Sequence, residues 1–166
     1  RAIKIKKKGN RISSVLIQQI QSAEKIELEA PLFSDCTGDG TIGFLAGADW
    51  RMGREAQDEY HESLAPMKAD TIMMGSSIQW YSEDVKHHTR FPDFSYGINF
   101  NESNKEPVVK GEWTWETGMN KNPITDAERI RDYGLLVIYS NWSFLKNKAK
   151  ERKSLSWILR VTKLLQ

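Results

Sequence analysis

The stretch Ala30 to Gly47, APLFSDCTGDGTIGFLAG, brings an apolar run, glycines and acids together in one short device, and the fold turns on its reading. Pro31 to Asp35 is short, mostly apolar and bounded by proline and by the Thr37-Gly38 turn signal. The pattern predicts a strand over residues 32 to 36 that ends just before a loop. Ile42, Leu45 and Ala46 then fall at helical spacing, and Gly47 closes a short helix. Strand, glycine loop, short helix is the expected order, because a hairpin would need a second strand here.

The loop contains a literal G-x-G-x-x-G at Gly38, Gly40 and Gly43. Glycines let a backbone come close to a phosphate or a ribose, and the N–H groups that open a helix carry partial positive charge. Two features argue against the first turn of a dinucleotide-binding fold. Asp39 puts a carboxylate where a pyrophosphate would lie, and the repulsion there would be costly. The acid expected about 20 residues further on should end a second strand, yet Asp58 and Glu59 sit in the polar run EAQDEYHES. A plain structural turn remains, and so does a different nucleotide contact. In the latter, Asp39 accepts hydrogen bonds from sugar-like hydroxyls while Gly38 allows close backbone approach.

Asp35-Cys36-Thr37-Gly38-Asp39-Gly40, with LAGADWRMGRE behind it, resembles the late flavin-contacting motif of FAD-dependent oxidoreductases of the glutathione-reductase-like FAD/NAD(P)-binding superfamily. There an "ATG" or "ATGD" turn follows a small β-meander, and its acid meets the ribityl chain of the flavin. The chain is more specifically similar to the Bacteroides-type group of bacterial FAD-dependent oxidoreductases, through DCTGDGTIGFLAGADWRMGRE, ESLAPMKAD, WETGMN and YSNWSFLKNK. This resemblance implies FAD as cofactor, a small-molecule substrate, and Thr37, Gly38, Asp39 and Gly40 as cofactor contacts. The family's opening strand, its own glycine-rich turn and its ribose-binding acid have no second candidate here. The resemblance therefore implies an internal or C-terminal fragment, whose FAD domain needs a missing N-terminal segment for completion.

At 166 residues the chain has the size of one domain, long enough to bury roughly 70 % of its unfolded surface. An apolar fraction of 39 %, with six Trp, five Tyr and six Phe, indicates a globular protein rather than a disordered one. A single Cys excludes an internal disulfide and leaves the compartment open. No apolar run approaches the roughly 20 residues of a membrane span.

Charge is uneven. Residues 1 to 11 hold six basic groups and no acid, and residues 146 to 163 hold seven basic groups against Glu151. Between them lie 11 basic and 21 acidic residues, which argues against nucleic-acid binding by the central body. The basic ends read as solvated faces of a strand and a helix.

Ala2 to Lys8 alternates apolar and basic residues, Gly9-Asn10 is a turn, and Ile12 to Ile20 is rich in Ile, Val and Leu. Gln21-Ser22-Ala23 turns the chain into the cleanly alternating Lys25 to Glu29. Period and turns thus predict three antiparallel strands, the same order as the meander that precedes the family's late motif. Beyond Ala48 the chain is polar and broken, with one short helix allowed by the Ala56-Tyr60 spacing. Thr71 to Met74, Ile78 to Trp80, Ser95 to Phe100 and Val108 to Trp115 read as strands.

Trp113 and Trp115 would project from one face of a strand, where such a pair can stack on a sugar ring or a flavin, although ordinary packing explains them as well. They carry the alternative function, a self-contained carbohydrate-binding domain. Glu112 and Glu116 could form a glycosidase-like carboxylate pair, although exposed charges explain them as well. Adjacent His87 and His88 do not easily face one metal, and no Cys or His partner lies near. Cys36 reads as a small buried residue, since no second Cys exists to resolve an oxidised form. Asn101-Glu102-Ser103 and Asn141-Trp142-Ser143 fit a glycosylation pattern by chance.

Thr125 and Glu128 have the spacing of a capping box, and a long helix is expected over about residues 125 to 148. Ile130, Tyr133, Val137, Trp142 and Leu145 lie near one face, and Gly134 in its middle suggests close packing by another backbone. Residues 151 to 166 read as a further helix, apolar nearly all round. The fold class is then α+β (mixed α/β), with a β-meander and one parallel-type strand of an FAD-binding domain over 1–50. A substrate or cap region with the long helix follows over 51–166. No catalytic acid or base can be named from these residues.

Overall fold

The computed structural model describes residues 1–106, 116–150 and 156–165, with 161–165 described by their backbone alone. It divides into two compact units, Arg1–Met52 and Gly53–Gln166.

In the first unit β1 (Ala2–Lys8), β2 (Arg11–Gln18) and β3 (Lys25–Glu29) form an antiparallel meander in the order β1-β2-β3. Register sorts the side chains as the alternation predicts. Ile5, Val15 and Leu28 lie opposite one another on one face, with Ile17 and Ile26 beside them, and Val15 is buried. The other face is mostly polar, with Leu16 opposite Glu27, and there Glu27 accepts from the Ser14 hydroxyl and pairs with Lys6 at 2.7 Å. The helix α1 (Thr41–Ala46) packs near β1. There Lys7 Nζ donates to the Ala46 carbonyl at 2.6 Å, a cation at the negative end of the helix.

The expected strand over residues 32 to 36 does not form. Residues 30–36 belong to no strand or helix, and Leu32 is exposed. A parallel strand is held by ladders to its neighbours, and none of the described residues supplies one.

In the second unit α2 (Gln57–Tyr60) is a single short turn of helix. β4 (Ser77–Asp84) and β5 (Trp157–Leu165) form an antiparallel pair, and α3 (Ala127–Asn147) packs on β4. Ile78, Trp80 and Ser82 alternate inward along β4, and Trp80 meets Trp142 of α3 edge to face at 6.3 Å. Val137, Ile138, Phe144 and Leu145 of α3, with Phe100, complete this core. Each such fully buried side chain stabilises the fold by about 1.5 to 3 kcal/mol.

Several elements differ from the sequence expectations. The helix expected over 151 to 166 is, within the described residues, strand β5, whose ladder with β4 runs from Asp84↔Trp157 to Ser77↔Leu165. The long helix begins at Ala127, so Thr125 lies one residue before the N-cap position that the expected capping box requires. Asp126 is its N-cap without a side-chain cap, and Asn122 Oδ1 instead accepts from the Ile124 and Thr125 N–H groups. Tyr133 faces outward at 53 % exposure, while Ile130, Val137, Trp142 and Leu145 are buried. Residues 71–75 and 95–100 are irregular rather than strands. Val108 to Trp115, and with them Glu112, Trp113 and Trp115, lie outside the described residues.

Candidate functional site

The turn between residues 35 and 43 is organised by one carboxylate. Asp35 Oδ1 accepts from the Thr37 backbone N–H at 3.1 Å and from the Thr37 hydroxyl at 2.7 Å, and Oδ2 accepts from the Gly43 N–H at 2.8 Å. The Thr37 hydroxyl in turn accepts from the Thr41 N–H at 2.7 Å. Two otherwise unpartnered donors of the first turn of α1 are thereby satisfied. Burial pushes the Asp35 carboxyl up, but the Thr37 hydroxyl and the N–H groups of Gly43, Thr37 and Ile42 outweigh it and hold the carboxyl below its ordinary value.

Gly38 and Gly40 sit at φ +91° and +66°, a backbone that side chains with a Cβ rarely adopt, and nothing lies within 4 Å of where a Cβ would be. The backbone on both sides of Asp39 is therefore open to a ligand. Asp39 itself is exposed and has no hydrogen bond or ion pair among the described residues. Of the four expected contact residues, the structure brings Thr37 to Gly40 into one exposed turn but engages the Thr37 hydroxyl twice within the chain. Cys36, expected to be buried, is exposed, with its sulfur 3.4 Å from the Ser34 hydroxyl.

The G-x-G-x-x-G string is not a phosphate cradle. Gly43 gives its N–H to Asp35, so a chain carboxylate already occupies the start of α1. A phosphate added there would meet it as a like charge.

A second cluster joins three of the strings quoted above. Arg54 forms a two-pronged ion pair with Asp70, and the two residues also exchange backbone bonds of 3.2 and 3.0 Å. The Arg54 guanidinium beside Asp70 holds its carboxyl below the usual range. Gly53 stands where any Cβ would strike the Asp70 carbonyl. Met73 N–H donates to the Met119 carbonyl at 2.7 Å, and Ser76 and Thr117 exchange two bonds of 2.9 Å. Residues 53–54, 70–76 and 117–119 thus form one stitched layer. Sequence reasoning passed over Asp35, Arg54 and Asp70. The spacing Asp35-x-Thr37 before a helix was a usable signal for an Asx turn, whereas nothing local pairs Arg54 with Asp70.

Glu116 packs its Cβ 2.7 Å from the position a Gly75 Cβ would take and is exposed. Asn141 is buried in α3, where its amide oxygen accepts from the Glu106 N–H at 3.0 Å, so it is closed to glycosylation. His87 Nδ1 lies 2.8 Å from the Val85 carbonyl. Among the described residues no group of three His, Cys, Asp or Glu could hold a metal, and no helix is long and apolar enough to cross a membrane.

No curated protein and no solved structure matches this chain. A protein-family model does, and it lends no support to the carbohydrate-binding alternative. The model described as FAD dependent oxidoreductase matches residues 1–165, and the chain, with its meander and Thr37-Gly38-Asp39-Gly40 turn, belongs to that family.

Proposed function

We propose that the chain works in FAD-mediated oxidation or reduction of a small molecule, with residues 1–50 as part of the cofactor domain and 51–166 as the substrate side. Thr37, Gly38, Asp39 and Gly40 are the flavin-contacting residues in this reading, and the glutathione-reductase-like superfamily is the parent of the fold. The observation that carries it is the exposed Asp39 carboxylate, which has no partner among the described residues and is flanked by two open, left-handed glycines.

The donor set of the turn suits one end of FAD and not the other. A carboxylate beside open backbone is an acceptor for hydroxyl groups, and it fits the ribityl chain. It does not fit the pyrophosphate, because Asp35 and Asp39 both carry negative charge at the turn. In this reading the pyrophosphate is held by residues other than this turn.

When bound, FAD supplies the redox chemistry. The chain's own residues bind and orient: Asp39 accepts ribityl hydroxyls, Gly38 and Gly40 allow the approach, and the α1 side of the turn holds all three in place. Asp39→Ala tests this. In the flavoprotein that contains this chain, FAD affinity should fall about ten- to hundredfold, as for loss of hydrogen bonds to a charged group. Unchanged affinity in a folded variant removes the assignment.

A further inference from the structure

We propose that Asp35 is the positioning residue of the flavin turn: through the Thr37 hydroxyl and the start of α1 it fixes Asp39 in the place where it meets the ribityl chain. This inference rests on the reading of the turn as a flavin contact, and goes beyond it by assigning Asp35 and by changing the role of Thr37.

The turn is built from a flexible segment. A segment with left-handed glycines on both sides of Asp39 has little intrinsic preference for one shape. Nothing lies within 4 Å of either glycine's Cβ position, so packing does not hold them. Hydrogen bonds do so: the Gly40 carbonyl accepts from the Phe44 N–H at 2.9 Å, and the side-chain bonds converge on Asp35. It ties the residue before the glycines, through the Thr37 N–H and hydroxyl, to Gly43 beyond them. Bonds to an ionised carboxylate are roughly twice as strong as neutral ones, which suits a single anchor.

Thr37 relays the hold. A hydroxyl has one donor and two acceptor positions. Its donor goes to Asp35 at 2.7 Å and one acceptor takes the Thr41 N–H at 2.7 Å. The donor is therefore committed inside the chain, and Thr37 serves the cofactor by shaping the turn. The negative charge of Asp35 at Gly43 also biases the turn toward neutral hydroxyls and against phosphate. Asp35 is a specificity element as well as an anchor.

A double-mutant cycle on the flavoprotein containing this chain decides the matter, with FAD affinity read by titration of flavin fluorescence. Asp35→Ala should weaken FAD about tenfold or more, and Asp35→Ala with Asp39→Ala should bind about as weakly as the worse single variant, because residues acting as one unit are not additive. Wild-type affinity in Asp35→Ala, or two losses that multiply, overturns the inference while the Asp39 loss keeps the flavin reading. Unchanged affinity in Asp39→Ala instead overturns the flavin reading itself, and the positioning role with it. Should Asp35→Ala not fold, Thr37→Val and Thr37→Ser decide: Ser retains the relay and should keep FAD affinity while Val loses it, and equal affinity in both overturns the inference.

Discussion

A Cβ built on Gly134 would stand 2.9 Å from Cδ1 of Ile78, so the middle of α3 seats directly on a β4 side chain. The sequence suggested a close backbone at this glycine, whereas the neighbour is a buried isoleucine. That difference sets the outcome of substitution. Gly134→Ala gains about 1 kcal/mol of helix propensity but forces the end of Ile78 aside, and the two effects should nearly cancel. Gly134→Leu cannot be absorbed so and should destabilise by about 1 to 3 kcal/mol. Urea unfolding measures both, and adding Ile78→Val should make Gly134→Ala stabilising. A tolerated Leu would mean that α3 does not pack on β4 here.

Asp84 ends β4 and gives the fold an acid-side dependence. Its carboxylate accepts from Lys86 Nζ at 2.7 Å and from the Lys86 N–H at 2.9 Å. These bonds and one from Ser156 hold its pKa down at about 2, against an ordinary 3.8. Because the folded value is the lower one, the contribution is complete above the ordinary pKa and is lost as pH falls from about 4 toward 2. Asp84→Asn should therefore flatten the unfolding midpoint between about pH 5 and pH 2 relative to wild type. Added salt should narrow the difference, since the pair faces solvent. Parallel acid profiles for the two proteins would sink the assignment.

What the sequence revealed depended on whether the deciding contact was local. The meander was visible because each strand alternates and each turn is marked, and the register of Val15 against Ile5 and Leu28 follows from that alternation. The body of α3 was equally visible from its period. β5 was not, because an apolar run such as Trp157 to Leu165 reads as helix or strand alike, and only the partner β4 decides. The start of α3 was misread for a subtler reason: Asn122, placed before Pro123, accepts from the Thr125 N–H that Glu128 was expected to serve, and from the Ile124 N–H beside it. At the candidate site the four residues of the turn were proposed from resemblance, while Asp35 was read as the end of a strand. Its role is expressed in bonds to Thr37 and Gly43, which became evident only once the turn had a shape.

The 166-residue chain by itself should hold FAD weakly. FAD has a neutral, hydroxyl-rich middle and a doubly charged pyrophosphate. The turn at Gly38 to Gly40 suits the first. For the second, a strand, glycine turn and helix start is the usual seat, and the described residues contain no parallel strand pair joined by a crossover helix. The one glycine turn that does open a helix has its Gly43 N–H bonded to Asp35. Several charge-assisted bonds of about 1.5 to 3 kcal/mol each are then unavailable, and the absence of even three weakens binding by on the order of a thousandfold or more. Isothermal titration of the chain with FAD is the measurement. Weak binding is expected, and it should weaken further with Asp39→Ala. Submicromolar binding at one site would show that the pyrophosphate is held by this chain after all, and the assignment of that half of the cofactor to other residues would fall.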